Sequence, residues 1–493
     1  MRSGSSAPVE PEEHLDVLIV GAGLSGVAAA YHLQTRCPGK SYAILEGRDA
    51  IGGTWDLFRY PGIRSDSDMY TLGYTFRPWP SDRAIADGAS IRDYIQDTAR
   101  EHGIDRKIRF GHRVLRASWS SASARWTIDA IRTDSGAAVR LTCGFLFMCS
   151  GYYSYQDGYT PIIPGVERFG GRIAHPQRWT DDIAYAGKRV IVIGSGATAV
   201  TLAPALATTA THVTLLQRSP TYVVSRPSVD RVATRLQRSL PAGVAHDLTR
   251  WKNVLLGSAF YGFCRRFPDR ARRLITRGVR AQVGPGVDVD THFNPSYAPW
   301  DQRLCLTPDA DLFDAIKRGR IEVVTDQIET YTETGLALRS GRRLDADLIV
   351  TATGLRMLFL GGLQLTVDGR AIDPAATRSY KGAMMSDVPN LAMALGYTNA
   401  SWTLKCELIA QYVCRLLLYM DQRGYRSCVP HADADVGDEP LLALSSGYIQ
   451  RAQGQFPRQG AKVPWKLYQN YVRDLIMLRH RTVDDGALVF RRA

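Results

Sequence analysis

The chain carries one local pattern twice. Residues 15–20 (LDVLIV) form a short apolar run of the kind a buried strand has. They lead directly into Gly21-Ala22-Gly23-Leu24-Ser25-Gly26 and a small-residue, helix-forming stretch at 27–33. Residues 188–193 (KRVIVI) lead in the same way into Gly194-Ser195-Gly196-Ala197-Thr198-Ala199 and a second such stretch at 200–206. Few folds accept a strand that turns straight into a helix through glycines at these spacings. The first glycine permits the tight turn, the second lets a pyrophosphate approach the backbone, and the third lets the helix pack close to the strand. The helix N-terminus then faces the phosphates. One such motif is weak evidence, because a tight strand-to-helix turn in an unrelated α/β domain has the same letters. Two in the same context predict an α/β chain with two dinucleotide-binding, Rossmann-like domains.

The next strand of each unit distinguishes the two sites. Residues 42–45 (YAIL) end in Glu46, twenty residues after Gly26, where an acid accepts hydrogen bonds from ribose hydroxyls. Residues 212–216 (HVTLL) end instead in Gln217-Arg218-Ser219, with Arg218 24 residues after Gly194. A carboxylate there would repel a 2′-phosphate, whereas an arginine binds it through charge-assisted hydrogen bonds. The alternative for Arg218 is an exposed strand-end arginine. Residues 145–151 (FLFMCSG) and 348–354 (LIVTATG) are a further pair of twins, each a buried-strand pattern ending at a small-residue turn.

Composition narrows the class. With 493 residues, two to four domains with large cores are expected. No apolar run approaches the roughly 18–20 residues that span a bilayer, and acidic residues and proline stand where a signal peptide needs a basic patch and an apolar stretch. A cytoplasmic protein with a frayed tail at 1–13 is expected. The eight cysteines include no C-x-x-C pair, which argues against a zinc site or dithiol centre, so no metal is expected. The charge of +13 gathers partly at Arg265, Arg266, Arg270, Arg272, Arg273, Arg277 and Arg280. That segment reads as a solvated helical face, with peripheral membrane or homo-oligomer contact as the alternative; no nucleic-acid motif accompanies it.

Between the two units lies Phe169-Gly170-Gly171-Arg172-Ile173-Ala174-His175-Pro176-Gln177-Arg178-Trp179, or F-x-G-x-x-x-H-x-x-x-W. Read alone, it is a linker whose His and Trp pack. Residues 52–70 (GGTWDLFRYPGIRSDSDMY) are too irregular for a core element, and loops of this composition often contact a planar ligand. Together these stretches resemble the fingerprint and flavin-cradling loop of Baeyer-Villiger monooxygenases, in particular their mycobacterial branch, with the likeness running from about residue 13 to 490.

The resemblance implies FAD on Gly21, Gly23, Gly26, Glu46, Thr54, Trp55 and Asp66, and NADPH on Gly194, Ser195, Gly196, Ala197, Thr198, Arg218 and Ser219. It implies that Arg303 faces the flavin, that Asp66 orients Arg303, and that His175 couples domain movement to hydride transfer. It also implies ketone-to-ester or lactone oxidation through a C4a-peroxyflavin, with O2 as co-substrate and S-oxygenation of thioethers or thioamides as a second reactivity. Two departures stand out: Gln302 where many relatives have Lys, and Thr180 after the fingerprint Trp.

The implied layout is an FAD-binding domain at 1–155 and 351–493, a linker at 156–186, an NADPH-binding domain at 187–222 and 301–350, and a helical insertion at 223–300. Residues 321–324 and 335–338 read as strands of one small sheet, and 404–420, after the stretch 397–403, as an amphipathic helix with Leu404, Leu408, Tyr412, Leu416 and Leu417 near one face. That helix either points its N-terminus at the flavin or is a plain core helix. The stretch 465–471 could close over the cleft. An S- or N-oxygenating flavin monooxygenase is the rival enzyme, disfavoured by Trp179; a non-catalytic FAD- and NADPH-binding redox sensor is the rival from another class.

Overall fold

The computed structural model describes residues 13–492. The expected tail lies outside them apart from Glu13, which is held in place. Its carbonyl accepts from the Thr142 N–H at 2.9 Å, and its carboxylate pairs with Arg109.

The first unit opens with β1 (His14–Val20), α1 (Leu24–Arg36) and β2 (Tyr42–Leu45). A long loop follows, containing the single-turn helices α2 (Thr54–Leu57) and α3 (Met69–Leu72), and then α4 (Gly88–Glu101). Strands β3 (Ile108–Arg109), β4 (His112–Ser120), β5 (Arg125–Arg132) and β6 (Ala138–Met148) complete its first pass. The chain crosses over through β7 (Tyr153–Gly158) to β8 (Arg172–Ala174), β9 (Arg189–Ile193), α5 (Ala197–Leu206) and β10 (His212–Gln217). Next come β11 (Val223–Arg226), four helices, α6 (Arg231–Ser239), α7 (Ala242–Arg266), α8 (Pro268–Val283) and α9 (Val289–Phe293), and β12 (Cys305–Pro308). The second unit closes with α10 (Asp311–Lys317), β13 (Ile321–Thr325), β14 (Ile328–Tyr331), β15 (Gly335–Leu338), β16 (Arg343–Asp345) and β17 (Leu348–Thr351). The chain returns through β18 (Leu355–Met357) to β19 (Gln364–Val367), β20 (Arg370–Ala371), the β21–β22 pair (Ser379–Tyr380, Met384–Met385), β23 (Leu391–Met393) and α11 (Trp402–Arg423).

Two sheets organise this path. The first runs β20-β19-β4-β5-β6-β1-β2-β3, with β23 also on β6; the second runs β13-β10-β9-β17-β8. β1 lies between β2 and β6, parallel to both, and β9 between β10 and β17 likewise. Strands covered on both faces read as continuous apolar runs, which is why 15–20 and 189–193 lack alternation. Core residues fill both sides of each sheet.

Four details depart from expectation. Residues 321–324 do not share a small sheet with 335–338: β13 is the parallel edge of the second sheet, next to β10, while β15 sits in a separate antiparallel sheet with β14 and β16. A four-residue apolar run does not encode which neighbour it will pair with. Within 156–186, residues 172–174 are the other edge of the second sheet rather than free linker. The segment 223–300 begins with a strand, β11, paired in parallel with β12. Finally, α11 is buried almost all round, and its charged residues are paired inside: Lys405 with Asp474 at 2.7 Å, and Glu407 with Arg250 and His32, each at 3.3 Å. Internal pairing lets a helix with a polar stripe be central. The expected apolar positions Leu404, Leu408, Tyr412, Leu416 and Leu417 are all buried, the leucines contributing roughly 1.5–3 kcal/mol each.

Candidate active site

Backbone sterics build the floor of the site. Gly21 has φ +106°, and a Cβ there would lie 2.5 Å from the Cys149 carbonyl oxygen; Gly194 has φ +139°, with a Cβ 2.3 Å from the Ala352 oxygen. Each turn glycine therefore presses against the residue just beyond the twin strand β6 or β17. A Cβ on Gly26 would fall 1.8 Å from the Gly21 oxygen, so only hydrogen fits between helix and turn.

A cleft of about 800 Å³ runs between the units. Gly21, Gly23, Glu46, Thr54, Trp55 and Asp66 line it from the first unit, and Ala197, Thr198, His175 and Arg303 from the other side. Gly26 sits beneath the turn. Glu46 is buried, and its two oxygens accept from the backbone N–H groups of Ala22 (2.7 Å) and Arg48 (2.9 Å). Burial raises its carboxyl above the ordinary range, against the lowering effect of those two bonds. A carboxylate has about four acceptor positions, so room remains for ribose hydroxyls.

Gly194, Ser195, Gly196 and Ser219 are not among the residues that line the cleft. Ser195 accepts at its carbonyl from the Cys305 thiol at 3.8 Å. Arg218 and Ser219 are exposed at the end of β10. Arg218 forms no ion pair among the described residues.

Arg303 and Asp66, 237 positions apart in sequence, meet in the cleft. The guanidinium donates from Nη2 to Oδ1 at 2.9 Å and from Nε to Oδ2 at 2.8 Å, a two-pronged pair. Their side chains are 30% and 33% exposed, but only to the cleft. Burial alone would lower the Arg303 pKa; the attraction of Asp66 together with the surrounding phenols of Tyr152, Tyr448 and Tyr153 outweighs it, and the net shift is upward. The guanidinium is thus a fixed cation.

Several contacts position this pair. Arg303 precedes β12, and its turn is held where Asp301 pairs with Arg265 of α7 at 2.7 Å and accepts at its carbonyl from the Ser445 N–H at 2.8 Å. Trp300 adopts φ +72°, a left-handed backbone held by that turn. Asp66 ends a loop that reaches the second unit: Arg64 pairs with Asp311 of α10, and a Cβ on Gly62 would be 2.6 Å from Ala205 of α5.

His175 caps the turn at 176–178. Its Nδ1 accepts from the Gln177 N–H at 3.2 Å, which places the ring proton on Nε2, buried without a partner among the described residues. Burial lowers its pKa, so the ring is neutral at pH 7. The ring packs on Gly158, where a Cβ would lie 1.9 Å from Cε1. Gly158 ends β7, which pairs antiparallel with β18, so His175 sits at the double connection between units.

The fingerprint's other members pack. Phe169 is in the core under β9, and Trp179 is buried against Tyr185 at 6.0 Å. Trp179 is absent from the cleft lining, so it cannot discriminate substrates by contact. Trp465 is likewise core, against Tyr380; Gln469 and Tyr471 do line a 140 Å³ pocket on the far side of the Asp66–Arg303 pair.

Sequence reasoning missed an aromatic wall. The Tyr152 ring lies tilted at 4.3 Å from Tyr153 and 4.7 Å from Trp402, the first residue of α11, whose indole donates to Ser25 Oγ at 3.0 Å. Burial raises the Tyr152 and Tyr153 phenols, so both stay neutral beside Arg303. The run Tyr152-Tyr153-Ser154-Tyr155, directly after a strand-ending glycine, was the available signal.

These features define a protein with two strand–turn–helix units of the dinucleotide-binding kind and a fixed cation in the cleft between the units. Residues 16–237 match the flavin-binding monooxygenase-like family model, and the chain belongs to that family. It is 54% identical over 482 residues, 97% of this chain and 98% of the relative, to the FAD-containing monooxygenase EthA of Mycobacterium tuberculosis. Its fold resembles that of an oxidised steroid monooxygenase bound to NADP (TM-score 0.78, 24% identity, 97% of this chain and 100% of that one). It likewise resembles an open structure of cyclohexanone monooxygenase (TM-score 0.72, 19% identity, 97% and 100%). The chain is thus a flavin-dependent monooxygenase by family, and among the described residues no helix is long and apolar enough to cross a membrane.

Proposed function

We propose that the chain is an FAD-containing, NADPH- and O2-using monooxygenase of Baeyer-Villiger type, converting ketones to esters or lactones and oxygenating sulfur in thioethers or thioamides. The observation that carries this reading is the Arg303–Asp66 pair, held in the cleft between two phosphate turns. The first unit, 1–155 with 351–493, would hold FAD on Gly21, Gly23, Glu46, Thr54 and Trp55, with Gly26 keeping the helix close. The glycine cradle that a Cβ would fill and the spare acceptor capacity of Glu46 fit that group. The second unit, 187–222 with 301–350, would hold NADPH on Gly194, Ser195, Gly196, Ala197, Thr198 and Ser219. The unpaired guanidinium of Arg218 fits a 2′-phosphate, and carries more of the grip because Gln302 offers no charge.

When bound, the two cofactors supply hydride transfer and oxygen activation. The protein supplies the rest. Arg303 offsets negative charge that develops on the substrate oxygen during attack, an electrostatic role that needs no proton transfer. Asp66 fixes the direction of the guanidinium. Neutral His175, packed on Gly158 at the end of β7, turns relative movement of the units into a change at the cleft. Val254, Phe260 and Leu306 give the pocket beyond Arg303 an apolar side, facing polar groups that include Asn253, Asn399 and Gln469, which suits a carbonyl or thioether with a hydrocarbon body. The rival reading, an S- or N-oxygenating flavin monooxygenase, would use the same cleft, and Trp179, buried outside its lining, does not separate the two by contact.

The test is NADPH-dependent turnover of the yellow protein with linear, cyclic and aryl ketones and a thioether, measuring oxygenated product and H2O2 together. Product equal to NADPH consumed supports the reading; consumption balanced only by H2O2 across the panel rejects it.

A further inference from the structure

The helical segment presents a surface that the proposed chemistry does not use. Of the seventeen large hydrophobic side chains exposed among the described residues, nine lie between positions 232 and 274. Helix α7 concentrates them: Val244, Leu248, Trp251 and Leu255 recur at helical spacing along one face and are 48%, 49%, 40% and 54% exposed. The stripe continues through exposed Ala259 and Gly262 and ends at Arg266. Helices that pack on a core bury such a stripe; this one faces outward.

The opposite face is anchored. Arg250, buried, donates to the carbonyls of Tyr70 and Gly73 at 2.8 Å each and pairs with Glu407. Asn253 donates to Asp68 at 2.9 Å. The outward direction of the stripe is therefore fixed by the fold.

Charge surrounds the stripe. Residues 231–283 contain twelve Arg and Lys against two Asp, so +10 of the chain's +13 sits on these three helices. Arg270, Arg273 and Arg277 are exposed on α8, with no ion pair among the described residues. A long apolar stripe flanked by arginines matches the interface of an anionic bilayer, where side chains enter the headgroup region and cations meet lipid phosphates. A second copy of the chain fits poorly: after Glu407, Asp230, Asp301 and Asp290 pair with four of these cations, a two-fold contact would still set +6 against +6.

We infer that α6–α8 form a docking surface for an anionic phospholipid membrane. The helix that would lie on the lipid also lines the pocket beside Arg303 with Asn253, Val254 and Phe260. In so far as the Baeyer-Villiger reading holds, its substrate side then lies one helix diameter, about 10 Å, from the lipid, and the substrates are membrane-dissolved, lipophilic ketones or sulfides.

The docking itself is tested without turnover, so its failure is separable from failure of the chemistry. Purified, FAD-loaded protein is floated with vesicles of phosphatidylglycerol and phosphatidylcholine in equal parts, and with phosphatidylcholine alone. Binding to the anionic vesicles should be at least about tenfold tighter and should weaken with salt. Leu248→Asp with Leu255→Asp, and separately Arg270→Glu with Arg273→Glu and Arg277→Glu, should each lower it at least about tenfold while FAD content and unfolding midpoint stay at the wild-type value. Equal partition onto both vesicle types, or variants that float as the wild type does, overturns the inference. So does a dimer in sedimentation that Leu255→Asp dissociates when vesicles bind no protein.

Discussion

Replacing Asp66 with Asn changes one charge at nearly constant volume and tests how Arg303 is held. The carboxylate accepts two guanidinium N–H groups at 2.9 and 2.8 Å. An asparagine keeps one acceptor and turns its other arm into a donor facing a donor. A charge-assisted hydrogen bond contributes roughly 1.5–3 kcal/mol, and because both side chains are about a third open to the cleft the lower part of that range applies after screening. A loss of about 1.5–2 kcal/mol in positioning corresponds to a roughly 10- to 30-fold fall in the rate of coupled oxygenation. The cation itself survives, since an arginine stays protonated throughout the accessible pH range. The amplitude of the pH–rate profile should drop while its shape stays, and reduction of the flavin by NADPH, followed by stopped flow at its visible band, should change less than about threefold. Coupled ester formation at the wild-type rate would refute the positioning argument. A shifted pH profile would refute it differently, by making Asp66 a proton carrier.

Arg303→Ala should leave flavin reduction intact and lower ester formation by roughly 10²- to 10³-fold or more, with the NADPH consumed recovered as H2O2. Arg218→Ala should raise the KM for NADPH roughly 10- to 100-fold and leave NADH unchanged, because only the 2′-phosphate would lose a partner; equal loss with both cofactors would remove Arg218 from that role. Gly26→Ala places a Cβ 1.8 Å from the Gly21 oxygen and should cost about 3 kcal/mol or more, read as a lower urea midpoint together with loss of bound FAD. His246, buried beside Arg250 with neither ring nitrogen partnered, has its pKa lowered first by burial and then by that arginine. The unfolded chain therefore takes up the proton first, so stability should be full above about pH 7 and fall as the pH drops through the unfolded value toward about pH 5; His246→Leu should flatten part of that slope in urea titrations.

What the sequence disclosed was whatever depends on near neighbours in the chain. Gly21, Gly26 and Gly194 are legible because a turn's steric demand is met within a few residues, and the twins at 145–151 and 348–354 because each strand must end against its turn glycine. Arg218 is legible as the residue that stands where Glu46 stands in the first unit. The Arg303–Asp66 contact has no local trace across 237 positions; only the family resemblance suggested it. Strand β8 was hidden because three residues carry no period, and β13 because an apolar run does not name its neighbour. The polar residues of α11 suggested an exposed face, since Lys405, Glu407 and their distant partners Asp474 and Arg250 look exposed until the chain folds.

The distribution of the site between the units bears on the rival readings. A protein that only sensed flavin and nicotinamide would need two phosphate turns and a connection between the units, and the paired β7 and β18, with His175 packed on Gly158, are such a connection. It would have no need for a guanidinium stationed between the turns. Here Arg303 comes from the second unit, its carboxylate comes from the first, and the loop that carries Asp66 is itself pinned to the second unit where Arg64 meets Asp311. Breaking the pair leaves a poorly solvated cation, so the fold bears the cost of keeping a charge in a cleft that binding alone would not require. Stabilising negative charge on a reacting oxygen gives that arrangement a purpose, and the apolar side of the pocket beyond Arg303, at Val254, Phe260 and Leu306, gives the oxygen's carbon skeleton a place to lie.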